Sequence, residues 1–186
     1  MSFADEVRAE LYAIPVKKPC CRRALAAGLL LGAAADETGV TARYPSGAAA
    51  DYAADALHAF FGRAVTVETV VLPHGARALI FSSPAAGKLL SLMRREDAAG
   101  ALTGGCDACH GCFLRGAFLS AGTVNDPHKS LHLEFLIRNP AFVPLTETVL
   151  LNCGYPPHTV IRENGTGLYY KDGTSVEDLI TLTGAG

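Results

Sequence analysis

Cys109-His110-Gly111-Cys112-Phe113-Leu114-Arg115-Gly116-Ala117-Phe118-Leu119-Ser120 has a counterpart earlier in the chain, Cys21-Arg22-Arg23-Ala24-Leu25-Ala26-Ala27-Gly28-Leu29-Leu30-Leu31-Gly32. Cys21 to Cys109 and Gly28 to Gly116 are both separated by 88 positions. Each copy is apolar around a central glycine that is followed by mostly large apolar residues. A glycine is unfavourable inside a helix unless another backbone must come close. The two copies therefore predict two helices in contact, one opening each half of an internal repeat.

Similar segments come after each copy. After the first are a short β-prone stretch, Gly39 to Tyr44, and a helix, Ala48 to Phe61, with Tyr52, Ala56, Ala59 and Phe60 on one face. Val65 to Leu72 and Ala76 to Phe81 flank Pro73-His74-Gly75 and read as a hairpin. A helix from about Pro84 to Glu96 closes the half, with Pro suited to its first turn. After the second copy, Leu131 to Arg138 alternates as a half-buried strand and Ala141 to Asn152 reads as a helix. Thr159 to Glu163 and Leu168 to Lys171 flank Asn164-Gly165-Thr166-Gly167, a hairpin signal, and Ser175 to Leu182 is a last helix. Asp97 to Asp107, rich in Gly and Ala, reads as a linker between halves at about 1–100 and 107–186 of a single domain spanning 1–186. Locally paired strands make the sheets antiparallel and the class α+β.

Composition fits one packed domain. Of 186 residues, 49% are hydrophobic and 18% charged, which excludes a disordered chain. Sixteen Lys and Arg against 18 Asp and Glu give a net charge of −2, so nucleic-acid binding would need a local basic patch. The longest uncharged apolar run, Ala24 to Ala35, falls short of the roughly 20 residues of a membrane span. Lys17, Lys18, Arg22 and Arg23 before it and Ala33-Ala34-Ala35 after it imitate a signal peptide. An acidic N-terminus, two glycines in the run and its recurrence later favour a cytoplasmic chain with reduced thiols instead.

A glycine-bearing apolar helix at the head of each of two αββαββα halves resembles the LAGLIDADG homing-endonuclease fold. That resemblance implies two motif helices side by side and a saddle of sheets lying on DNA. It also implies an acid near each helix end, holding a divalent metal for phosphodiester hydrolysis. Aligned on Gly28 and Gly116, those acids fall at Ala33 and Ala121, which offer no oxygen ligand. Asp36 and Asp126 lie three to five residues further on.

A closer resemblance is to the WhiA family of bacterial sporulation and cell-division regulators. It is carried by Met1-Ser2-Phe3-Ala4-Asp5-Glu6-Val7, Glu10-Leu11, the Cys20-Cys21 pair, and the run Phe113-Leu114-Arg115-Gly116-Ala117-Phe118-Leu119-Ser120-Ala121-Gly122-Thr123-Val124-Asn125-Asp126-Pro127. Leu131-His132-Leu133-Glu134, Tyr169-Tyr170-Lys171-Asp172-Gly173 and Leu182-Thr183-Gly184-Ala185 continue it. The resemblance implies a catalytically dead endonuclease-like domain in a transcription factor whose helix-turn-helix lies elsewhere; the sequence to Gly186 leaves no residues for it. Only Gly39 to Tyr44 stands where the family has a full hairpin, so the first saddle is expected to lack a strand.

No catalytic residue, metal ligand or cofactor is assigned. Arg43, Arg77, His132, Arg138, Arg162 and Lys171, all placed on strands of the saddle, are the expected phosphate contacts, because phosphate binding is cumulative. Tyr169 or Tyr170 stacks or packs. Replacing Arg162 and Lys171 together with Ala should weaken DNA binding. The expected partner is duplex DNA, with a protein partner or a second copy as the alternative, and neither a membrane nor a small-molecule substrate. A surviving metal nuclease is a third reading. Cys106, Cys109 and Cys112 with Cys20 and Cys21 have ligand-like spacing for zinc, but reversible disulfides and half-buried structural thiols fit too. The densest basic cluster, Lys17, Lys18, Arg22 and Arg23, reads as a solvated face.

Overall fold

Proline at its first turn starts one glycine-bearing helix, α2 (Pro19–Leu29), whose Ala24, Leu25, Ala26, Ala27, Gly28 and Leu29 are all buried. The other is α6 (Cys109–Ala121), buried from Phe113 through Leu119. The computed structural model describes residues 1–37, 39–62 and 65–186. In it the two helices meet main chain to main chain. A Cβ on Gly28 would collide with the Phe113 carbonyl oxygen and sit 2.7 Å from the Ala117 nitrogen. A Cβ on Gly116 would collide with the Leu25 carbonyl oxygen and sit 2.8 Å from the Leu29 nitrogen. The Ser120 hydroxyl donates to the Gly28 carbonyl at 2.7 Å across the same seam.

Each helix leads into a four-stranded antiparallel sheet with the same strand order. In the first, β1 (Ala34–Asp36), β2 (Gly39–Tyr44), β3 (Thr66–Val71) and β4 (Arg77–Ser82) lie in the order β1-β2-β4-β3. In the second, β5 (Gly122–Val124), β6 (Leu133–Ile137), β7 (His158–Arg162) and β8 (Gly165–Tyr170) lie as β5-β6-β8-β7. The α+β reading, with two related halves and antiparallel sheets, is what the structure shows. Strand alternation sets the two faces. Val40, Ala42, Tyr44, Leu79 and Phe81 point inward from the first sheet, and Leu133, Phe135, Ile137, Leu168 and Tyr170 from the second.

The remaining helices cover that inner side. They are α1 (Phe3–Tyr12), α3 (Gly47–Phe61), α4 (Pro84–Met93), α5 (Ala98–Thr103), α7 (Val143–Asn152) and α8 (Gly173–Thr183). α1 opens on a capping box: Ser2 accepts from the Asp5 amide, and Asp5 accepts from the Ser2 amide. Side chains from elsewhere in the fold satisfy the carbonyls that helices leave free at their C-termini. Arg8 donates to Gly122 O at 2.8 Å, Arg115 to Thr183 O at 2.7 Å, Arg23 to Ala101 O at 2.7 Å, and Tyr44 to Leu29 O at 2.8 Å.

Four expectations need correction. The first sheet has not lost a strand: β1 pairs with β2, Ala34 opposite Thr41 and Asp36 opposite Gly39. Asp97 to Asp107 is not a plain linker, because α5 forms within it and buries Ala98, Ala99, Leu102 and Thr103. The core side of α3 is Ala49, Ala50, Ala53 and Leu57, while Ala59 is exposed; small residues there allow closer packing than the Tyr52 and Phe60 stripe would. Of the expected phosphate contacts, His132, Arg138 and Lys171 flank strand ends, and only Arg43, Arg77 and Arg162 lie within strands. The expected strand start at Val65 lies just before β3, and Arg63 and Ala64 lie outside the described residues.

Candidate nucleic-acid interface

Register decides which side chains share the outer face of each sheet. On the second sheet, Glu134 stands opposite Tyr169, and Tyr169 opposite His158; Leu136 stands opposite Gly167, and Gly167 opposite Val160. Arg162 stands opposite Gly165 on the same face. His132 and Lys171 continue this face by alternation past the ends of β6 and β8, and exposed Arg138 follows β6 at its other end.

Two glycines give this face its shape. Gly165 and Gly167 of β8 carry no side chains, so Arg162 on β7 reaches across to Glu134 on β6. It makes a bidentate pair with two bonds of 2.6 Å. A Cβ on Gly167 would sit 3.0 Å from the Glu134 carboxylate. His132 adds a contact to Glu134 at 3.2 Å. Glu134 is only 7% exposed, yet the Arg162 hydrogen bonds, helped by His132, hold its carboxyl below the usual range. Tyr169 is the aromatic centre of the face. His132 stacks on it with ring centroids 5.5 Å apart, His158 tilts against it at 5.3 Å, and the Lys171 ammonium lies 5.6 Å from its centroid. Tyr170, one residue on, points into the core and donates to Tyr155 O at 2.6 Å. Register thus puts Tyr170 in the core and half-buried Tyr169 on the outer face.

The first sheet is different. Arg43 is exposed on its outer face opposite Ala78, with Thr41 opposite Ile80 and Glu68 opposite Ile80 from the other side. Arg77 does not join Arg43: it stands opposite buried Tyr44, and its guanidinium donates to Gly75 O at 2.9 Å and Ala76 O at 3.0 Å. The structure therefore gathers His132, Arg162 and Lys171 at the second sheet, sets Arg138 at the end of β6, and leaves Arg43 alone at the first and Arg77 on a turn. Sequence reasoning missed His158, whose alternation with Val160 and Arg162 was the available signal.

At the helix ends, Ala33 is buried and Ala121 half-buried. Asp36 accepts from the Gly39 amide at 3.1 Å and Asp126 from the His128 amide at 2.9 Å. The basic cluster disperses: Arg23 serves the end of α5, and Arg22 donates to Val16 O at 3.1 Å.

At the opposite ends of the motif helices, Cys20, Cys21, Cys106 and Cys109 come together with all four sulfurs within 4.8 Å of one another. Cys106 lies 3.4 Å from Cys21, 3.7 Å from Cys20 and 3.7 Å from Cys109. All are free thiols. Burial pushes the Cys21 thiol up; hydrogen bonds from Cys21 and the Ala108 amide bring Cys106 down to about 7.

Paired glycine-bearing helices feeding two antiparallel four-stranded sheets define the LAGLIDADG homing-endonuclease fold. The homing endonuclease I-DmoI superposes on 90% of this chain with a TM-score of 0.60 at 12% identity. Within that class the chain is similar to WhiA proteins, most extensively over its second half. Residues 110–186 match the family model described as the WhiA LAGLIDADG-like domain. The crystal structure of the N-terminal LAGLIDADG domain of DUF199/WhiA superposes on the whole chain, covering 94% of that domain, with a TM-score of 0.79 at 18% identity. The full-length protein from Thermatoga maritima matches equally well over 63% of its length. Among curated relatives, the probable cell division protein WhiA of Clostridium botulinum (strain Hall) is 31% identical over 80 residues, 43% of this chain and 25% of that protein. That of Clostridium acetobutylicum is 34% identical over 73 residues, 39% of this chain and 23% of that protein. The matched segment thus spans about a quarter of these relatives' length.

Proposed function

We propose that this chain is a non-catalytic regulatory domain related to WhiA that contacts the backbone of duplex DNA through the outer face of its second sheet. One observation carries the reading. In a chain of net charge −2, that face and its strand ends gather Arg138, Lys171, His132, His158 and Arg162. The one acid at its strand positions, Glu134, is already paired with Arg162. Glu163 lies in the β7–β8 turn, and Asp172 is turned to the Ser175 amide as the cap of α8. Arg138 and Lys171, not paired with Glu134, stand at the ends of a face centred on half-buried Tyr169, an arrangement that suits phosphates with little base reading. The name of the curated relatives, probable cell division protein WhiA, supports a role outside DNA cleavage. Alanines at 33 and 121 do not fit a hard divalent cation, so no cleavage step is derived.

The test is fluorescence anisotropy with random duplex DNA at two salt concentrations, without magnesium. Binding should fall steeply with salt, the slope of log K against log salt being about −0.9 per phosphate neutralised. The Arg138→Ala, Lys171→Ala double variant should flatten that slope, whereas Arg162→Ala alone should change it least, because Glu134 already holds that guanidinium. Absence of binding at low salt would overturn the DNA reading and favour a protein partner for this face. Cleavage of supercoiled DNA on adding magnesium would overturn the non-catalytic reading.

A further inference from the structure

We propose that Cys20, Cys21, Cys106 and Cys109 form a tetrathiolate site for a single structural zinc ion, joining the two motif helices at their N-terminal ends. The geometry is that of a mononuclear site. Four sulfurs about 2.3 Å from a tetrahedral ion are about 3.8 Å from one another. The closest approaches here are 3.4, 3.7 and 3.7 Å, and no pair exceeds 4.8 Å. Sulfur donors select zinc over magnesium or calcium, which take oxygen.

Three further features prepare the site. Cys20 and Cys21 lie in the first turn of α2, and Cys109 is the first residue of α6, so the positive ends of two helices face the thiolates. Cys106 sits in a short turn closed by the Cys109 amide, which donates to the Cys106 carbonyl at 3.1 Å and holds the backbone of this ligand in place. Gly105 is cut to fit: a Cβ there would lie 2.5 Å from the Cys20 Cβ and 3.1 Å from its sulfur. Four thiolates and Zn²⁺ carry a net charge of −2. Lys17, Lys18 and Arg115 line the groove beside Cys21. Loading releases up to four protons, one from each thiol, and needs no oxidant or reductant. Cys112 stands one helical turn beyond Cys109 and is outside the set; Cys153 belongs to the other end of α7.

The site links the halves. Two ligands come from the start of the first repeat and two from the start of the second, so the ion closes the seam at one end as the Gly28–Gly116 contact closes its middle. The experiment uses the full chain, untagged, purified without chelator and then with one equivalent of zinc. Elemental analysis should give one zinc per chain, and X-ray absorption should give four sulfur neighbours at about 2.3 Å. Cobalt loading should give the visible spectrum of a tetrahedral tetrathiolate. Cys106→Ser, in a half-exposed turn, should weaken zinc binding more than about tenfold, since even outer partners of a ligand are worth 10–100-fold. Cys112→Ser and Cys153→Ser should leave the cobalt spectrum unchanged. Nitrogen or oxygen neighbours, bound iron in place of zinc, or four freely reactive thiols after zinc addition would each overturn the proposal. The absorption measurement on the unsubstituted protein decides the matter even if Cys106→Ser does not fold.

Discussion

Glu134 is a carboxylate placed where carboxylates are costly, and its neighbours explain how the chain tolerates it. Burial alone would raise its pKa; the Arg162 hydrogen bonds, with His132, outweigh burial and lower it. A depressed folded-state value contributes stability above the ordinary carboxylate range, near 4.5, and that contribution is lost as pH falls through the folded value. Urea unfolding between pH 3 and 7 should therefore show Arg162→Ala less stable than the unsubstituted protein at pH 7. The gap should close as pH drops below about 4.5. A gap of constant size would show that the loss comes from packing instead of charge. Gly28 sets the second residue-scale limit. A methyl group there meets main-chain atoms, which cannot rotate aside, so Gly28→Ala should cost at least about 1–3 kcal/mol. Calorimetry should show a melting temperature lowered by about 2–4 °C per kcal/mol. The reciprocal contact predicts the same for Gly116→Ala.

Elements were legible in proportion to their period. The β6 alternation announced itself by its period of two, and the glycine-bearing helices by their recurrence 88 positions apart. β1 and β5 did not: with three residues each, no period can develop, and only pairing to β2 and β6 makes them strands. α5 was hidden by composition. Ala98-Ala99-Gly100-Ala101 reads as a spacer until burial of its alanines and the Arg23 cap make it a helix. The candidate interface was half legible. His132, Arg162 and Lys171 share one sheet face and Arg138 follows at its end, but register removed Arg77 and tied Arg162 to Glu134. Edge strands show the complementary rule. Val71 and Ile161 occupy corresponding places on β3 and β7 and are 72% and 79% exposed. Changing both to Lys should alter unfolding free energy by less than about 0.5 kcal/mol while reducing self-association seen by light scattering.

At the scale of the whole molecule, the two halves share one seam and keep distinct faces. The second sheet concentrates cations and an aromatic cluster; at corresponding places the first has Thr41 for Glu134 and Ile80 for Tyr169. The zinc proposal and the DNA proposal stand at opposite ends of the motif helices and fail independently. The cysteine set could not be fixed from spacing, because adjacent Cys20 and Cys21 leave open which thiol faces which; only the helix pairing brings them to Cys106 and Cys109. The glycine seam also bears on how such a protein can change over time. Where two side chains touch, a substitution in one can be answered by a substitution in the other. Where backbone touches backbone there is nothing to answer with. The repeats are free to drift apart on their faces, as these two have, but at Gly28 and Gly116 each half holds the other to a single choice.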